Sequence, residues 1–198
     1  MIRETIIHSG VEMRFFIALE IQQEKRKQLQ LVQTKLKQLI PQVRLTDNSK
    51  LHLTITFVGE QPNQLKDSLI NMIKKAVVGI PIFNVTPAYI DAFPKLHNPR
   101  TFWIGVKGDI DKLVLIRERV KDGLINLNLA VDERRYTPHI AIAKINNGFK
   151  LKKEQENRLE QIMATHLEPI QISSIKLFES IPQHGFHKHN TLAEVKLI

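Results

Sequence analysis

Leu51-His52-Leu53-Thr54-Ile55-Thr56-Phe57 and Pro138-His139-Ile140-Ala141-Ile142-Ala143 decide how this chain folds. Both read as strands, and side chains alternate faces along a strand. In the first, Leu51, Leu53, Ile55 and Phe57 are expected to face a core, with His52, Thr54 and Thr56 on the other side. In the second, Ile140 and Ile142 go inward, and His139 shares its face with small Ala141 and Ala143. Each strand offers one imidazole on a surface otherwise kept small or hydroxylated. Placed side by side, the two strands would form a cleft holding two proton-transfer groups.

Working outward, Met13 to Leu19 (MRFFIAL) is a third strand-like run. Gln22 to Ile40 spaces Leu29, Val32, Leu36 and Leu39 as a helix does, and Pro41 ends it. A second amphipathic helix is predicted over Asn63 to Val78. Strands follow over Ile82 to Phe93 and Thr101 to Val106, separated by a loop from Pro94 to Pro99. Asp109 is placed to cap a third helix reaching Leu124. After Arg134 to Lys144 comes a fourth helix, Lys152 to Leu167, stopped by Pro169. Two last strands, Ile170 to Ser180 and Thr191 to Leu197, flank a loop carrying His184, His187 and His189.

The order strand–helix–strand–helix–strand occurs twice in outline, and His139 follows His52 by 87 residues, close to half of the 198. The expected fold is α+β and bilobal. Two similar lobes of antiparallel sheet face each other across a central cleft, with helices outside. Residues 13–198 read as one domain and residues 1–12 as an extension preceding it.

Composition narrows the setting. The apolar share of 42% and charged share of 25% are those of an ordinary globular protein. No run is apolar enough to span a bilayer, so no membrane partner is expected. The chain contains no cysteine, which removes disulfides and thiolate metal sites and suits a cytoplasmic setting. A formal charge of +9 favours an anionic ligand, and nucleic acid is the commonest. Most basic clusters read as solvated faces. Arg134-Arg135 is singled out because it lies just before His139.

Two imidazoles can serve as general acid and general base in one step, because their ordinary pKa lies near neutrality. A threonine beside them can donate a hydrogen bond to a phosphoryl oxygen. There is no Gly-x-Ser-x-Gly elbow, Gly-rich phosphate loop or His-Glu-x-x-His helix. Proton transfer around a bound, charged group remains. The spacing His184-x-x-His187-x-His189 would admit a metal, but histidines beside a phosphate site explain it equally well. Phe149 and Phe186 are candidates for stacking on a base, with core packing as the plainer reading.

The opening MRFFIAL, LHLTITFVGE, DAFPKLHNPRTFWIGV, RRYTPHIAIAK and LFES occur in an order that resembles the two-histidine (2H) phosphoesterases. Within them the chain is similar to the RNA 2',3'-cyclic phosphodiesterases, also known as 2'-5' RNA ligases. The resemblance runs from Met13 to the C-terminus, and its signature is His-x-Thr-x occurring twice. It implies that His52 and His139 are catalytic and that Thr54, Arg134 and Lys144 bind substrate. No metal or organic cofactor is implied, and the monomer is the expected state. The implied reaction opens a 2',3'-cyclic phosphate at an RNA end to a 2'-phosphate, with His139 as base and His52 as acid. The second signature departs from the family pattern: Ala141 stands where threonine is usual, and Lys144 where arginine is common. Three readings stay open: this reaction, a related one on a small cyclic nucleotide or 2'-5' linked oligonucleotide, and RNA binding with weakened catalysis.

Overall fold

A computed structural model describes residues 12–164, 166–183 and 186–198. Its centre is one curled antiparallel sheet. The strands are β1 (Glu12–Glu20), β2 (Arg44–Leu45), β3 (His52–Pro62), β4 (Phe83–Lys95) and β5 (Asn98–Gly108), then β6 (His139–Lys144), β7 (Ile170–Ile172), β8 (Ser174–Gln183) and β9 (Phe186–Lys196). Their order is β7-β4-β5-β6-β3-β1-β8-β9, with short β2 pairing against β6. Two half-sheets therefore meet where β6 lies beside β3. That junction is slight, and Leu53 opposite Ile140 is its one recorded register pair.

Among the described residues, four α-helices cover one face: α1 (Gln23–Leu39), α2 (Lys66–Ala76), α3 (Ile110–Asn126) and α4 (Lys153–Met163). Helix α1 buries Leu29, Val32, Gln33 and Leu36, the stripe its sequence spacing requires. In α2 the buried set is Leu69, Met72, Ile73 and Ala76, and in α3 it is Leu113, Ile116, Arg117, Val120 and Leu124. With the helix-facing residues of the strands they form one continuous core. A much smaller cluster of Phe16, Ala18 and Phe178 lies apart from it.

The predicted elements are all present, with informative differences. Asn63–Leu65 is a 3-10 turn, and α2 begins only at Lys66. The expected loop from Pro94 to Pro99 is a tight turn at residues 96–97, because β4 and β5 run on to meet it. Asp109 precedes α3 but makes no side-chain cap. Its carboxylate accepts from the Asn84 backbone N–H and from Lys112 instead. His187 and His189 lie on strand β9 rather than in a loop. His184 falls outside the described residues.

Three irregularities change which side chains face where. Between β1 and β3 the register passes from Ala18 opposite Thr54 to Ile17 opposite Thr56, so Ile55 is an extra residue. This bulge puts Thr56 into the helix-facing core with Ile55 and turns Phe57 outward, where it is 66% exposed. Alternation had predicted the opposite for both. A second shift leaves Val58 extra, beside Gly59 at φ +86°, a left-handed conformation that glycine takes without strain. In β6 the register with β5 slips at Ile142, which sends Ala143 into the core instead of beside His139.

Candidate active site

The face of the sheet away from the helices carries the histidines. Carrying the Leu53–Ile140 register one residue either way sets Thr54 opposite His139 and Ala141 opposite His52. The two histidines are then diagonal neighbours, about 7–8 Å apart at the backbone. A local two-fold axis through that one pair relates His52-Leu53-Thr54 to His139-Ile140-Ala141. The near-repeat seen in the sequence is thus a symmetry of the site itself.

Both rings are held in the same way. His52 Nδ1 lies 2.7 Å from the Lys50 carbonyl oxygen, and His139 Nδ1 lies 2.7 Å from that of Thr137. A carbonyl only accepts, so each Nδ1 carries the proton and donates it. Each Nε2 is left to exchange protons with a substrate. Burial pushes the His52 pKa down against the pull of the Lys50 carbonyl, and charge on His139 lowers it further. Burial likewise lowers His139, opposed by the Thr137 carbonyl.

Aromatic rings flank the pair on either side. His52 has Phe16 at 5.2 Å and His189 edge-on at 5.5 Å, centroid to centroid. Phe16 stacks on Phe178 at 4.9 Å and is also met by Phe57 at 6.0 Å. His139 has Phe93 at 4.9 Å and Trp103 at 5.6 Å. At the β1 end, Glu20 lies opposite His52 in register. Despite partial burial, Lys176 and Arg26 hold its carboxyl below the ordinary value. His189 is shifted in the same direction as the other two. Burial, then the charges of His52, Lys50 and His187, take its pKa down to about 4.

The other residues singled out from sequence are more scattered. Thr54 is on the histidine face, and the Tyr136 hydroxyl donates to its carbonyl at 3.2 Å. Arg134 is 88% exposed and holds Asp132 through two guanidinium nitrogens, with Nε 2.8 Å from Oδ1. That contact takes the Asp132 carboxyl down to about 2. Lys144 is exposed at the far end of β6, roughly 16 Å along the strand from His139. Phe149 packs against the core, which is the plainer of its two readings. Phe186 cannot be placed, since its side chain lies outside what is described. Sequence reasoning missed Phe16, Phe93, Trp103 and Phe178. Their apolar strands gave no sign of which rings would share the histidines' face.

A family model described as the 2'-5' RNA ligase superfamily matches residues 45–179, a span that holds both histidine strands. The chain belongs to this superfamily. Among curated relatives, the RNA 2',3'-cyclic phosphodiesterase of Thermotoga maritima is 29% identical over 133 residues, covering 67% of this chain and 70% of the relative. The protein of the same name from Aeropyrum pernix is 25% identical over 154 residues, 78% of this chain and 86% of its own. Of solved structures, a Thermus thermophilus protein superposes with a TM-score of 0.75 at 18% identity, covering 93% of this chain and 98% of that one. E. coli LigT complexed with 3'-AMP gives 0.72 at 18% identity, with 94% and 99% covered. These superpositions bear on the fold, which is that of the superfamily. Among the described residues of this superfamily member, no helix is long and apolar enough to cross a membrane. Nor do three or more histidine or acidic side chains there gather as a metal site would require.

Proposed function

We propose that this protein is an RNA 2',3'-cyclic phosphodiesterase that leaves a 2'-phosphate. The observation that supports it best is the pair of Nδ1-anchored imidazoles, related by a local two-fold axis on one open face. Curated superfamily relatives that carry this name point to the same reaction. Both histidines come from one chain, so a monomer acting on a cytoplasmic RNA end suffices.

The chemistry needs only an acid, a base and donors to phosphate. Water attacks phosphorus and gives its proton to one free Nε2. The P–O3' bond breaks, and O3' takes a proton from the other Nε2. Thr54, opposite His139, donates its hydroxyl to a non-bridging oxygen. Burial opposes charge on both rings and more so on His52, the more deeply buried of the two, so as pH falls the pair's first proton goes to His139. In the free protein this order favours His139 as acid and His52 as base, the reverse of the assignment implied by family resemblance.

Two measurements test the reading. With RNA ending in a 2',3'-cyclic phosphate, and EDTA present, His52→Ala and His139→Ala should each lower kcat by about 10²–10⁴. Rates equal to wild type in both variants would overturn the proposal. RNA binding without turnover in the wild type would favour a binding protein with lapsed catalysis, the reading that Ala141 motivates. To separate the roles, an aryl phosphodiester with an acidic leaving group should rescue the variant lacking the acid, His139→Ala. Rescue of His52→Ala instead would restore the opposite assignment.

A further inference from the structure

His187 and His189 take no part in the acid–base pair, yet both stand beside it on strand β9. Across the last hairpin Ser180 pairs in register with His189, and Pro182 with His187. Ser180 lies two residues beyond Phe178, so it shares the face on which Phe178 stacks against Phe16. His189 joins this wall to the reaction centre, with its ring 4.8 Å from Phe16 and 5.5 Å from His52. His187 comes two residues further along β9, about 7 Å on. There its Nδ1 lies 3.0 Å from Ser180 Oγ. His187 is exposed, and Ser180 and His189 are partly so, which leaves all three open to a ligand.

The charge around these groups has one sign. Besides burial, what acts on His189 is the positive charge of His52, Lys50 and His187. Carrying the Phe15–Glu179 register one residue on sets Arg14 opposite Ser180, and Arg14 is matched by Glu60 at 2.9 Å. Glu179 and Asn190 alternate with Ser180 and His189, and they pair with each other on the opposite face. The Ser180–His187 contact always leaves a donor for an anion. If the hydroxyl donates to Nδ1, the His187 proton sits on Nε2; if Nδ1 donates, the serine hydroxyl is free. A protonated His187 offers both.

We infer that Ser180, His187 and His189 form a second phosphate subsite, which takes the phosphate on O5' of the terminal nucleotide while His52 and His139 hold its cyclic phosphate. The inference rests on the cyclic phosphodiesterase reading for its substrate. In a mononucleotide the bound group is a monoester, and in RNA it is a diester.

Three substrates test it: a nucleoside 2',3'-cyclic phosphate with a free 5'-hydroxyl, its 5'-phosphorylated form, and the dinucleotide whose 5'-oxygen carries a diester. A 5'-phosphoryl group should raise kcat/KM about tenfold, mainly through KM. Such a gain with the monoester alone assigns the subsite to mononucleotides, and a gain with both extends it to RNA. His187→Ala and Ser180→Ala should each shrink the gain severalfold. Lys27→Ala, which removes an exposed charge on α1, should leave it as it was. Equal kcat/KM for the three substrates would overturn the subsite, as would a gain that Lys27→Ala and His187→Ala lower alike. Binding separates the subsite from the reaction. Adenosine 2',5'-bisphosphate should raise the His189 pKa, read by imidazole proton NMR, above its value with adenosine 2'-monophosphate. That rise without turnover of any cyclic substrate rejects the reaction and keeps the subsite. Turnover with neither the rise nor the gain rejects the subsite alone.

Discussion

Ala141 is the residue at which the two-fold symmetry of the site breaks. Thr54 stands opposite His139, but the corresponding position opposite His52 offers only a methyl group. A hydrogen bond to the transition state is worth roughly 2–4 kcal/mol when its donor is removed. Ala141→Thr is therefore expected to raise kcat about tenfold or more, measured on a cyclic phosphate substrate. An unchanged rate would mean that another group, with His189 the nearest candidate, already occupies that oxygen. His189 also carries a pH signature. Its folded pKa of about 4 lies below the ordinary 6.5, so the unfolded chain binds more protons between those values. Stability should accordingly fall as pH drops through that window and level off below it. Urea midpoints for the wild type and His189→Gln should show a shallower dependence in the variant. Parallel curves would remove His189 from the account.

At the scale of elements, the site depends on how strand ends are tied. Gln33 is buried on α1, and its amide nitrogen donates to the Thr46 and Ile142 carbonyls at 2.7 and 2.8 Å. Those two carbonyls lie just past β2 and at the slip in β6. Gln33→Leu would leave the Thr46 carbonyl without this donor, while that of Ile142 keeps the Thr46 backbone N–H at 2.9 Å. The expected cost is about 1–3 kcal/mol for the one group left unpaired. Chemical denaturation should show the loss, and a change below about 0.5 kcal/mol would mean that the ends are held by other contacts. Bulges also explain where sequence patterning failed. Period-two alternation placed Leu53, Ile55, Ile140 and Ile142 correctly, because each lies before or at the first irregularity of its strand. It failed at Thr56, Phe57 and Ala143, which lie beyond one. An inserted residue costs the local sequence pattern nothing, and only the partner strand reveals it.

Across the whole molecule, one core and one sheet join the halves, although β3 and β6 share a single recorded register pair. Unfolding followed by Trp103 fluorescence and by far-ultraviolet circular dichroism should therefore give coincident transitions. Separated midpoints would show the halves melting independently. The charge of +9 acts at this scale too. Affinity for an oligonucleotide should fall steeply with added salt, and turnover of a single nucleoside cyclic phosphate much less. Equal dependence would confine phosphate contacts to the catalytic cleft.

Much of this was written in the chain. The repeated histidine strands, their hydroxyl or small neighbours and the amphipathic helices are local patterns, set by residues a few positions apart. They were enough to specify the fold class and to nominate both imidazoles. What the chain could not disclose depends on partners distant in sequence. The Lys50 and Thr137 carbonyls that set each tautomer are local, but the approach of His189 to His52 spans most of the chain. The stacking of Phe16 on Phe178 and the hold of Lys176 on Glu20 likewise depend on how the backbone comes together. Register, bulges and charge pairing are properties of neighbouring strands and loops in space, and these only the tertiary structure decided.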